Sequence, residues 1–406
     1  MEPLTIDSSR PHFGELLGMG HELGVDSAVL EVKIAPKTAQ GMSSLVLGMN
    51  CYYSNLIEGH RTLPADIARA LRDHQDVNER RDLKSLSIAH LEAEKWARKQ
   101  NLLAVGILPF ASTVHRIFAE HLPPAALTLE NGKLIAPGVF RKDQGDDVVV
   151  GNHRAPDPTA VSTFLARFDA VYSQVLSLAH TSGEHQLKAI ASCFMAHHRF
   201  SWIHPFMDGN GRVGRILLDA MLRSCGLNKS GLWSMSRGYS KTQDKYKAAL
   251  AGADQSRMGD HDGRGNLSEK KLIDFCKYSI QTARGQSQFM YGLFDIETLH
   301  KRIDLYFRSV RTDLKPQCSW LYSHAISSGE FDRMEAGRLT GMPERSARIV
   351  LSSMVTEGFL VSDTPKGRVR AGFPMKAIEY IFPNLYPVGS TADGGDDDEI
   401  DDANNH

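Results

Sequence analysis

Apolar residues recur at three-and-four spacing over residues 63–71, 83–98, 158–179, 187–199, 212–224 and 267–290, the pattern of helices that each bury one face. One stretch breaks this rhythm. Residues 127–150, LTLENGKLIAPGVFRKDQGDDVVV, place Asn131-Gly132 and Gln144-Gly145 among β-branched and aromatic residues, which predicts short strands joined by hairpin turns. The proline-containing GNHRAPDP that follows is expected to stop extended pairing. A mainly α body results, a helical bundle carrying a small β element and running to about residue 294. After it the elements shorten: a connecting helix over 296–310, short helices over 320–327 and 335–340, and a tight turn at Gly341-Met342-Pro343. An amphipathic helix over 344–357 and a hairpin opening at 358–361 complete the pattern.

A length of 406 residues exceeds what one core organises and predicts two or three units, at ~100 to 200 residues each. With 42% hydrophobic and 23% charged residues the composition is that of a globular chain, and no apolar run approaches the ~20 residues that span a bilayer. No membrane partner is expected. The amino terminus has neither a basic start nor an apolar stretch, so the cytoplasm is the expected location. Cys51, Cys193, Cys225, Cys276 and Cys318 form no CxxC pair and are expected as buried free thiols. The tail 389–406 carries seven acids and no Lys or Arg, and its composition predicts disorder. Outside it 47 basic residues face 41 acidic ones, a balance compatible with nucleotides or nucleic acid.

The densest chemical signal is His204-Pro205-Phe206-Met207-Asp208-Gly209-Asn210-Gly211-Arg212-Val213-Gly214-Arg215. An apolar helix leads into it, Pro205 and the glycines break that helix, and a second helix starts at its end. A helix amino terminus offers unpaired N–H groups and a positive dipole end, and Gly209 and Gly211 let an anion approach the backbone. Arg212 and Arg215, three apart on one face, add forked donors for phosphate oxygens. Asp208 is a single carboxylate suited to Mg²⁺ when phosphates and water fill the other positions. His204 is the one evident proton acceptor. His197 and His198, on the incoming helix, are expected to serve packing, and Phe206 to anchor the loop.

These residues match HxFx(D/E)GNGRxxR at all eight specified positions, and the chain resembles the Fic (filamentation induced by cAMP) family. The resemblance implies a protein adenylyltransferase that moves AMP from ATP to a Ser, Thr or Tyr hydroxyl of a target protein, with self-modification among its outcomes. It makes His204 the general base, Asp208 the Mg²⁺ ligand, and Gly209, Asn210, Gly211, Arg212 and Arg215 the nucleotide site. Removal of AMP, or transfer of another nucleotide or of phosphocholine, is the alternative on the same site. Two further segments resemble family features. Pro137-Gly138-Val139-Phe140-Arg141, followed by 148–151, looks like the hairpin flap that holds a target by backbone pairing. Ser54-Asn55-Leu56-Ile57-Glu58-Gly59 matches the inhibitory motif (S/T)xxxE(G/N), in which Glu58 would pair with Arg215. Tyr246, with residues 233–239 and 241–250, is the candidate border of an adenine pocket. Residues 260–265, DHDGRG, outline a calcium loop, but Arg264 and Lys271 stand where oxygen ligands are required.

The expected domains are therefore 1–110, a helical region with the inhibitory helix; 111–294, the Fic core with its flap; 295–315, a connecting helix; 316–388; and the 389–406 tail. Residues 316–388 resemble a winged helix-turn-helix, with Arg345, Arg348, Lys366, Arg368 and Arg370 as candidate phosphate contacts. DNA and a homodimer partner are the roles such a unit would bring. A DNA-binding regulator with a nucleotide-sensing body is the rival reading.

Overall fold

The computed structural model describes residues 1–62, 64, 67, 81–129 and 132–387. Most of the helix expected over 63–71 and the whole 389–406 tail lie outside the described residues. The chain divides into two units. The first contains Met1–Ile34, Met42–Thr62 and the described residues from 81 through Phe294; the second contains Ala35–Gly41, Pro64, Ile67 and the described residues from Asp295 onward.

Helices α1 (Phe13–Lys33), α2 (Pro36–Ile57), α3 (Arg81–Lys99), α4 (Leu102–Val105) and α5 (Ile107–Glu120) open the chain. Helix α1 packs against the later helices of the same compact unit. The β hairpin is next, with β1 (Val149–Val150) antiparallel to β2 (His153–Arg154) and Val150 opposite His153. This corrects the expected pairing: Gly151, at φ 58°, opens the turn, and the GNHR segment continues the hairpin instead of ending it. Residues 137–141 form no strand.

Helices α6 (Pro158–Leu178), α7 (Gly183–Ile203), α8 (Asn210–Ser224), α9 (Met235–Lys241), α10 (Gln243–Ala253) and α11 (Glu269–Leu293) complete the first unit. Local chemistry starts several of them. Asp157 caps α6 and Pro158 occupies its first turn, Ser182 caps α7, Ser234 caps α9 and Ser268 caps α11. From Ala189 to Phe200 every side chain of α7 is buried, because α1, α6, α8 and α11 all pack on it. The catalytic-loop candidate thus hangs between two core helices, α7 and α8. All five cysteines are free and buried. Asp262 accepts main-chain N–H bonds from Met258 and Lys270, so the 260–265 segment is a self-bonded loop.

In the second unit, α12 (Ile296–Ser309) and α13 (Cys318–Ser328) precede β3 (Glu330–Phe331), α14 (Ala336–Thr340), α15 (Glu344–Thr356), β4 (Leu360–Val361), β5 (Val369–Ala371) and α16 (Met375–Ile381). The sheet is antiparallel in the order β3-β5-β4. Strand β3 was not expected from the sequence, since two residues are too few to show alternation. Tyr306, Phe307, Tyr322 and Phe359 form the aromatic core, and the Tyr322 hydroxyl donates to the Gly372 carbonyl at 2.7 Å. Of the candidate phosphate contacts, Arg345, Arg348 and Lys366 are exposed. Arg368 pairs with Glu330 and Arg370 with Asp363.

Candidate active site

Helix α7 ends at Ile203, and His204 leaves it in the left-handed conformation (φ 50°, ψ 60°) while its N–H still reaches the Phe200 carbonyl. That conformation is uncommon for a residue with a Cβ and is one that functional sites retain. Burial pushes the His204 ring down to about 4, helped by the charges of His153 and Arg141 and opposed by a hydrogen bond to the Ser201 carbonyl and by Asp208. At neutral pH the ring is uncharged. A neutral imidazole keeps one ring nitrogen as an acceptor.

Three sets of contacts hold the loop that follows. Asn210 accepts from the Phe206 N–H and donates back to the Phe206 carbonyl, both at 2.8 Å. Its side chain is therefore committed to loop geometry, which leaves its main-chain N–H, in the first turn of α8, as the group that could meet a nucleotide. Phe206 is buried between His115 and the rings of Phe140 and Phe200. Arg141, expected on the target-holding flap, instead points inward with 1% of its surface exposed. Its guanidinium donates to the carbonyls of His204 (2.7 Å), Asp146 (2.8 Å), Ile203 (3.1 Å) and Pro156 (3.2 Å), and its own N–H donates to the Pro205 carbonyl at 2.7 Å. A charged fork that closes four carbonyls is a clamp, so Arg141 is corrected from target contact to loop support.

Gly209, at φ 78°, begins α8, and no side chain caps that helix. Its first-turn N–H groups are thus left without a capping side chain. Arg212 lies over the Phe118 ring at 4.3 Å and donates from Nη2 to Asp208 at 3.2 Å. Its buried Nε and Nη1 have no partner among the described residues. Unpaired buried guanidinium donors are costly, about 1 to 3 kcal/mol each, unless an anion completes them. Burial lowers the Arg212 pKa, partly offset by Asp208 and Glu58. Asp208 keeps more than half of its side chain exposed, and one carboxylate of this kind fits Mg²⁺ carried in on phosphate oxygens.

Arg215 is fully engaged. Its Nε donates to Ser54 Oγ at 2.9 Å, and Nη2 donates to the Ser54 carbonyl at 3.0 Å and to Glu58 Oε1 at 2.7 Å. Ser54 sits in the last turn of α2, and Glu58 follows the helix end, where Gly59 adopts φ 86°. Burial would raise the Glu58 carboxyl, but the charge and hydrogen bond of Arg215, with Arg212 and His60, hold it below the usual carboxylate range. The same carboxylate covers the start of α8: a Cβ built on Gly211 would overlap it. Thus Glu58 occupies space that an anion bound at α8 and Arg215 would need.

Residues 111–222 match the model of the Fic/DOC family. The chain carries a Fic domain. The protein adenylyltransferase Fic of Drosophila virilis is 26% identical over 229 residues, 55% of this chain and 40% of that protein. Its namesake in Drosophila ananassae is 33% identical over 113 residues, 28% of this chain and 19% of that protein. The aligned part of the chain spans less than half the length of these relatives. Among solved structures, a Fic family protein from Desulfovibrio desulfuricans shares the fold at 16% identity with a TM-score of 0.50, covering 91% of this chain and 98% of that one. A Fic domain containing signaling protein from Bacteroides thetaiotaomicron does so at 16% identity and a TM-score of 0.51, covering 67% of this chain and 95% of that one.

Tyr246 is corrected. It is buried, its ring stacks on Tyr239 at 4.0 Å, and its hydroxyl meets His197 Nε2 at 2.9 Å. With Trp233 and Tyr239 also buried, these rings form core behind the site, leaving no open face for a base. Sequence reading missed His115, whose Nδ1 accepts the Gly138 N–H, and a network behind the loop in which Asp254 bridges His153 (3.1 Å) and His198 (3.0 Å). His153 also meets the Trp202 carbonyl at 3.0 Å. These partners lie far apart in sequence, and no local spacing marks them.

Proposed function

We propose that this chain transfers AMP from ATP to a hydroxyl of a protein and that Glu58 holds the reaction in check. The observation that carries the reading is the pair of unpartnered, buried Arg212 donors beside the uncapped start of α8, with Glu58 lying across Arg215. An anion of high charge satisfies all three features at once. The matched domain in relatives named protein adenylyltransferase supports AMP as the group moved.

In this reaction the target hydroxyl oxygen forms a bond to the α-phosphorus as the bond to the pyrophosphate oxygen breaks. His204, neutral and with one ring nitrogen open, takes the hydroxyl proton, an effect typically worth ~10² to 10⁴-fold. Arg212 and the α8 amides hold the phosphates and oppose the charge that gathers on the departing pyrophosphate. A Mg²⁺ held by Asp208 would supply further charge neutralisation on the phosphates. Glu58 suppresses the step by occupying Arg215 and the space above Gly211, so that ATP enters without a productive pose.

Incubation with α-labelled ATP and a cell lysate tests both halves. Glu58→Gly should raise labelling on the order of 10- to 100-fold, the range of ordinary coupling between sites. Adding His204→Ala should remove ~10² to 10⁴ of that rate while ATP binding by calorimetry persists. Undiminished labelling by the double variant overturns the role of His204, and unchanged labelling by folded Glu58→Gly overturns the inhibition. Parallel incubations with other labelled nucleotides, a phosphocholine donor and an AMP-modified lysate distinguish transfer of AMP from the alternatives.

A further inference from the structure

His115 lies on α5, far in sequence from the catalytic loop, and its ring is buried parallel to Phe206 with centroids 4.0 Å apart and 3° between planes. Nδ1 accepts the Gly138 N–H at 2.8 Å. A ring that accepts at Nδ1 carries its proton on Nε2. That second nitrogen lies toward the junction of Asp208 and Gly209: a Cβ built on Gly209 would stand 3.9 Å from Nε2 and 3.6 Å from Cδ2.

One turn earlier on α5, Ser112 Oγ donates to the Gly138 carbonyl at 2.7 Å. The Gly138 residue is thus gripped at both its N–H and its carbonyl by one helix face. Only glycine fits there, since φ is 75° and a Cβ would come within 2.9 Å of the Ser112 carbonyl and 3.0 Å of Arg116 Cβ. A leucine at position 115 would fill the space beside Phe206. It would not set one ring nitrogen on the 137–141 segment and the other toward the Asp208–Gly209 junction.

We propose that His115 is a positioning residue that fixes the separation between the 137–141 segment and the Asp208 loop, so that an acceptor hydroxyl and a nucleotide meet in register at His204. The proposal rests on the transfer reading above for its consequence, and on the placement of the two ring nitrogens for its geometry.

Three variants in the Glu58→Gly background separate the two nitrogens. An asparagine oxygen can take the place of Nδ1, a glutamine nitrogen that of Nε2, and phenylalanine keeps the stack while losing both. His115→Asn should raise the Mg²⁺ concentration for half-maximal ATP binding about 10-fold, one hydrogen bond's worth, with amide exchange at 137–141 unchanged within about twofold. His115→Gln should do the reverse, and His115→Phe should move both readouts. Calorimetry with Mg²⁺ and ATP and hydrogen exchange of the 137–141 peptide need no turnover. Folded variants that leave both readouts unmoved, or that shift both equally in all three cases, overturn the proposal. The split pattern without any labelled product supports the positioning geometry and overturns the transfer reading instead.

Discussion

Arg215 serves several acceptors at once, and this decides what can happen at the residue scale. Its Nε goes to Ser54, and Nη2 is shared by the Ser54 carbonyl and Glu58. Displacing Glu58 removes one anion and admits another without disturbing the Ser54 contacts, so the proposed control needs no rearrangement of α2 beyond its end. His204 imposes a second consequence. Its pKa is lowered from 6.5 to about 4 by burial and by neighbouring positive charge, so the ring remains a base well below neutrality. In the Glu58→Gly background kcat/KM should stay flat from pH 8 to about pH 5 and fall only toward the value of about 4. An acid limb centred near 6.5 in a pH–rate profile would show that the ring behaves as an ordinary solvated histidine.

Among elements, the α7–α8 connection carries the proposed chemistry, and it is held from outside. Residues 137–141 are not a strand; they open on a turn at Pro137-Gly138 and are tied to the loop through Arg141 and packed on His115. Arg141→Met keeps much of the side-chain volume but leaves four carbonyl acceptors, those of Asp146 and Ile203 in buried bonds, without their donor. It should lower stability by about 3 kcal/mol in chemical denaturation and speed amide exchange around residues 203–205. A loss below about 0.5 kcal/mol, the size of an ordinary surface change, would mean that the clamp is dispensable. The hairpin shows where sequence reading slipped by one turn. Val149 and Val150 read correctly as a strand, but Gly151-Asn152 is the turn and His153 the partner, because the Pro156 that suggested an end lies beyond the second strand.

At the scale of the molecule the two units each enclose their own core, and the first carries every residue of the proposed reaction. Its integrity draws on Asp254, which joins the β hairpin, through His153, to α7, through His198. Burial would raise the Asp254 carboxyl, but hydrogen bonds from both histidines bring it from 3.8 to about 2. A depressed carboxylate stabilises the fold above its unfolded value and loses that contribution as pH falls through the folded one. Asp254→Asn should therefore cost about 2 kcal/mol at pH 7 and show a flatter stability curve between pH 4 and 2 than the parent, measured by denaturation across pH. Equal curves for the two proteins would place no stabilising charge at Asp254.

What was legible in the amino-acid sequence is what short-range physics controls. Helical periodicity marked α3, α6, α7, α8 and α11 to within a few residues, and twelve consecutive residues displayed the base, the carboxylate and the arginines because the loop places them by its own turn. Ser54 and Glu58 were marked only by the resemblance to the family's inhibitory motif, four residues apart across the end of α2. Only the tertiary structure decided which side chains face the site and which support it. Asn210, Arg141 and Tyr246 have polar groups that could meet a nucleotide or a target, yet burial commits each to a partner 4 to 63 residues away. His115 and Asp254 gained their roles in the same way. A buried polar atom must find a partner wherever packing brings one, and chain order does not record that encounter.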